Sequence, residues 1–97
     1  MDNLEIMLNR VQVLIDLGTY ANVATVQQVS SNLNSLWDNV PGIDSDVLTA
    51  ELLQLSVYAD KLKDTNEYFA AVRIYGGIAK SAKIIKEICR DLKWNNK

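Results

Sequence analysis

The chain has 97 residues, 10 Lys and Arg against 12 Asp and Glu, one cysteine and no histidine. The missing histidine removes imidazole bases, His-based triads and His metal ligands, and the lone Cys89 excludes an intrachain disulfide and a Cys-cluster zinc site. Apolar residues make up 48%, yet no apolar run approaches the roughly 18–20 residues that cross a bilayer, and the opening residues lack a signal-peptide pattern. The expectation is one cytoplasmic helical domain over residues 1–97.

Asp2-x-x-Glu5 reads as a capping box that opens a first helix. Leu4, Met7, Leu8, Val11, Leu14 and Ile15 recur at helical spacing, Ile6, Val13 and Leu17 widen that face, and Gly18 is placed to stop it. A second helix is expected from Thr19 or Asn22 to Asn39, on the 3-4 spacing of Val26, Val29, Leu33, Leu36 and Val40. Its Val and Thr content leaves a strand open at Ala21–Val26. Asn39-Val40-Pro41-Gly42 is the strongest break in the chain, because proline removes a donor and turns the residue before it toward extended backbone.

Ser45 or Asp44 caps the third helix, with Asp46 favourable in its first turn. Leu48, Leu52, Leu55, Ala59 and Leu62 form its stripe, with Leu53 and Val57 flanking. Asp64-x-x-Glu67 is a second capping-box-like pattern. From Glu67 to Trp94, Ala71, Ile74, Ile78, Ser81, Ile85, Ile88 and Leu92 keep a 3-4 alternation. Arg73, Lys80, Lys83, Lys86, Arg90, Lys93 and Lys97 fall on the other side. Gly76-Gly77 interrupts this pattern, which predicts a kink, a chain break or a close helix contact. Asn95 to Lys97 reads as a frayed tail.

These patterns predict an all-α fold: a small antiparallel bundle of about four helices, with the last one open to a break at Gly76-Gly77. The spacing of Leu55, Tyr58, Ala59, Leu62, Tyr68, Ala71, Tyr75 and Ile78 is similar to that of a single tetratricopeptide-type helix hairpin, over residues 52–80. In that family these positions pack one helix on the next. Ala59 stands where the family has glycine, its late proline is absent, and no second repeat follows where about three are needed. Generic hairpin packing is the resulting expectation.

The charge is unevenly laid out. Residues 1–60 hold eight acids and one base, a net of −7; residues 61–97 hold nine bases and four acids, a net of +5. This split suits halves that fold against each other, protomers that meet acid-to-base, or an anionic partner for the basic half. The sequence pI of about 4.9 argues against nucleic acid, and an apolar face needed for the core argues against a membrane surface.

No phosphate loop, dinucleotide fingerprint, nucleophile elbow or metal-ligand pattern is present. Gly77-Ile78-Ala79-Lys80-Ser81 lacks the first glycine and the Lys-Ser placement of a phosphate loop. Asp44 and Asp46 suit a helix cap better than acid-base chemistry, and Cys89 suits an inert core thiol. The expected role is therefore a non-catalytic interaction protein, binding a protein partner or itself as a homo-oligomer, without cofactor or metal. The alternative is an oligomeric binder of an anionic small molecule such as a nucleotide. Arg73, Lys80 and Lys83 would hold the anion and Tyr75 would stack or donate a hydroxyl. Small histidine-free chains of this kind are associated with phage and mobile-element accessory proteins.

Overall fold

A computed structural model describes residues 2–95. Four α-helices follow one another: α1 (Asn3–Leu17), α2 (Val23–Asp38), α3 (Asp46–Lys63) and α4 (Tyr68–Asn95), with one 3-10 turn over Gly18–Tyr20. No strand occurs among the described residues. Each helix packs on its chain neighbours, and α4 returns to close on α1, so the four form a ring without contacts across the diagonals. The sequence stripes meet inside. Met7, Val11, Val26, Leu33, Leu48, Leu52, Leu55 and Ile85 are almost wholly buried. Burying each such side chain contributes roughly 1.5–3 kcal/mol relative to exposure.

The helix ends follow from local hydrogen bonding. The Asp2 carboxylate accepts from the Glu5 backbone N–H at 2.8 Å, and Asn22 does the same for Thr25 at 2.8 Å. Ser45, rather than Asp44, caps α3 by accepting from the Leu48 N–H at 3.1 Å. The start of α4 is capped by Glu67 itself, whose two carboxylate oxygens accept from Phe69 and Ala70 at 2.9 and 2.8 Å. Asp64 instead ends α3, so it does not act as the first residue of a capping box. Gly18 adopts φ 55° and ψ −127°, a backbone region that L side chains avoid, and α1 stops there. No strand forms at Ala21–Val26. Ala21 and Asn22 are extended, and the helix starts directly after them.

Two expectations are corrected. First, of the outcomes open at Gly76-Gly77, the break does not occur, since α4 runs for 28 residues, and the close helix contact does, at Gly77. The two glycines differ in their surroundings. A Cβ at Gly77 would lie 2.5 Å from Cζ of Tyr58, so the α3 ring rests on bare α4 backbone. A Cβ at Gly76 would meet nothing within 4 Å. Second, several flanking apolar residues face outward. Leu53 is 65% exposed, and Val13, Leu17 and Val57 are also exposed. Asn95 is helical, and Asn96 and Lys97 lie outside the described residues. The α3–α4 hairpin exists, but α1 and α2 close it into a ring.

Replacing Leu55 with Ala should lower stability by about 2–5 kcal/mol in urea unfolding, whereas Leu53→Ala should stay within about 0.5 kcal/mol. The glycines give a sharper contrast. Gly76→Ala should raise stability by about 0.5–1 kcal/mol through helix propensity. Gly77→Ala should lose that gain, because the Tyr58 ring must move aside.

Candidate interaction surface

Of the four candidate anion-binding residues, three share one side of α4 and Tyr75 does not join them. Arg73, Lys80 and Lys83 are all exposed on the solvent side of α4, and among the described residues they form no ion pair. Tyr75 lies roughly 200° around the helix from Arg73. It is half-buried, and its hydroxyl donates to the Ala21 carbonyl. Tyr75 therefore ties α4 to the segment after α1, and its ring is not beside the three cations. Lys93, from the same basic stripe, forms an ion pair with Glu5 on α1 at 3.3 Å. Lys97 lies outside the described residues.

Three clefts open elsewhere, and none is lined by Arg73, Lys80 or Lys83. The largest, about 540 Å³, lies where the start of α1, the α2–α3 connection and the end of α4 meet. Leu4, Val40, Pro41 and Ile43 make it largely apolar, and Asp2 and Lys93 place opposite charges on it. A shallow one is bordered by Glu87, Arg90 and Asp91. The third, about 360 Å³, follows the seam between α2 and α3 and is lined by Gln27, Ser30, Asn34, Ser56 and Asp60. Its polar groups mostly satisfy one another. The Ser30 and Ser56 hydroxyls are 2.9 Å apart, and the Asn34 amide donates to the Ser30 carbonyl at 2.9 Å and to the Ser56 hydroxyl at 3.2 Å.

The chemistry of the interior is equally quiet. Among the described residues no buried side-chain polar atom lacks a partner, and no cluster of His, Cys, Asp or Glu could hold a metal. Buried Ser81 donates to Glu51 at 3.2 Å across α3 and α4. Burial pushes the Cys89 thiol from 9.0 up to about 12, which keeps it protonated and poorly nucleophilic.

The bundle also exposes large apolar side chains. Tyr20 is 90% exposed, Tyr68 74%, Trp94 73% and Phe69 69%, with Val47, Leu53 and Val72 also exposed. The 3-10 turn packs on α4, and Tyr75 meets Ala21. Tyr20 therefore lies toward the end where α4 begins. Tyr68 and Phe69 stack edge-to-face at 5.4 Å. Their aromatic character is visible in the sequence, but their spacing beside Tyr58 and Tyr75 reads as hairpin packing. Only Tyr58 and Tyr75 pack against the core. A further surface signal lies in α2. No charged residue occurs from Leu17 to Trp37, and Ala24, Gln28, Ser31 and Ser35 make an exposed, uncharged outer face. Charge depletion is a property of interface centres. No family model, curated protein or solved structure matches this chain. No described helix is long and apolar enough to cross a membrane.

A thiol reagent at pH 8 should leave Cys89 unmodified in the folded protein and modify it after denaturation. The raised folded value also sets a pH dependence. Above about 9 the unfolded thiol ionises while the folded one stays protonated, so stability falls as pH rises through that value. Cys89→Ala should show a shallower decline between pH 8 and 10.

Proposed function

We propose that this chain is a non-catalytic helical protein-binding module that works by self-association in the cytoplasm. The observation that supports this best is the set of aromatic residues left outside a filled core: Tyr20, Tyr68, Trp94 and Phe69 at 90, 74, 73 and 69% exposure. Large aromatic side chains supply most of the contact energy where proteins meet, and clustered apolar exposure on a small domain marks such sites. The uncharged run from Leu17 to Trp37 adds a second face suited to dry contact.

The charge split favours a partner of the same kind. Folding leaves Arg73, Lys80 and Lys83 without ion pairs, and Asp44, Asp46, Asp60, Asp64 and Glu67 are exposed or partly exposed. Copies can therefore meet base-to-acid. A free, buried Cys89 suits a reducing compartment. The satisfied interior and the protonated thiol support a role without covalent chemistry.

Sedimentation equilibrium at micromolar concentration should give an oligomer at low salt that weakens at high salt. A monomer at both ionic strengths overturns self-association. A nucleotide or metabolite that raises the thermal midpoint of a monomeric chain would replace this reading with small-anion binding.

A further inference from the structure

Resting on the self-association reading, we propose that two copies of this chain pair antiparallel through the solvent side of the first half of α4, with Phe69 of each seated over Gly76 of the other. Three observations converge on that strip. The first is apolar exposure: Phe69 and Val72 project from the outer side of α4 at 69 and 42% exposure. The helix is longer than its neighbours, 28 residues against 15 in α1 and 18 in α3. Its first turns therefore carry apolar residues that the ring does not cover.

The second observation is Gly76. A glycine inside a helix is unfavourable relative to alanine. Gly77 has an internal reason for that cost, because the Tyr58 ring occupies the space of a Cβ. Gly76 has none: it is exposed, and its missing side chain would touch nothing in the chain. A bare backbone position on the outer face lets another helix approach closely. Phe69 and Gly76 are seven apart, so both lie along one line of the helix. An antiparallel partner centred between Val72 and Arg73 brings the large ring of each copy onto the bare backbone of the other.

The third observation is the orientation that the strip itself requires. Only an antiparallel pairing brings Phe69 of each copy onto Gly76 of the other; a parallel two-fold pairing sets ring against ring and glycine against glycine. In the antiparallel pairing Asp64 and Glu67 of one copy, exposed beside Lys61 and Lys63, come level with Lys80 of the other, and the two Arg73 side chains flank the axis. The strip is thus self-complementary in shape, as a two-fold interface requires.

Sedimentation of the full-length chain and of three variants tests this. Gly76→Leu should weaken association at least about tenfold, with a thermal midpoint no lower than that of the parent at dilutions where both are monomeric. Gly76→Ala should raise the dilute thermal midpoint and weaken association, opposite signs that misfolding cannot produce. Val72→Cys, beside the two-fold axis, should form an intermolecular disulfide under air oxidation. A parent chain that is monomeric overturns both this surface and the self-association reading. A parent oligomer that Gly76→Leu leaves unchanged, with no Val72→Cys cross-link, overturns this surface alone.

Discussion

Everything in this bundle depends on α4 serving two neighbours along its length. The helix closes the ring, so one of its sides must fit α3 and another must fit α1. Toward α3 it offers Gly77, on which the Tyr58 ring lies, and Ser81, which donates to Glu51. Toward α1 it offers the Tyr75 hydroxyl to the Ala21 carbonyl and Lys93 to Glu5. Between these pairs sit Ile78, Ala82, Ile85 and Cys89, which are buried. The polar pairs contribute little net energy, about 0.5–1.5 kcal/mol for a neutral hydrogen bond and less for an exposed ion pair. Their effect is to fix the register of a long helix whose apolar repeat alone tolerates sliding by a turn.

The two seams between the remaining helices are built differently. The α1 stripe of Leu4, Met7, Val11 and Leu14 is apolar, and at its start the Asn3 amide donates to the Leu36 and Asn39 carbonyls at 3.2 Å each. The α2–α3 seam carries Ser30, Asn34 and Ser56 bonded among themselves, with Ser56 also donating to the Leu52 carbonyl at 3.2 Å. At its far end Trp37 donates its indole N–H to Thr49 at 3.0 Å. Small hydroxylated residues let these two helices come close, and the mutual bonding removes the cost of burying Ser30. The same closure explains why the groove over that seam offers a ligand few unmet partners.

The architecture was legible in the sequence because the stripes of all four helices repeat at the helical period and each stripe is long. Leu48, Leu52, Leu55, Ala59 and Leu62 are all buried, as their spacing requires. The flanks were less legible. Leu53 and Val57 sit beside the stripe in sequence, yet lie far enough around the helix to face water. Gly76 and Gly77 look identical in a sequence. Only the position of the Tyr58 ring separates a packing requirement from an unexplained gap. Of the anion-site residues, Arg73, Lys80 and Lys83 share the outer side of α4, as their spacing requires, whereas Tyr75 sits on its inner side.

The outer side of α4 then has a specific imbalance. A helix face kept only for solubility is best filled with helix-favouring charged residues, which cost little in propensity and interact across successive turns. From Lys80 to Asp91 α4 conforms, with Lys83, Glu87 and Arg90 on its outer side, and near its end Trp94 is exposed at 73%. Before Lys80 it departs, with Phe69, Val72 and Gly76 exposed, and a side chain at Gly76 would meet nothing in the chain. Residues that lower monomer stability or solubility and gather in one stretch of a helix are the pattern of a surface whose stabilising contacts lie outside the chain. The stretch from Lys80 to Asp91 needs no such contacts, and under the proposed pairing the start of α4 is the part of the helix that a second copy would cover.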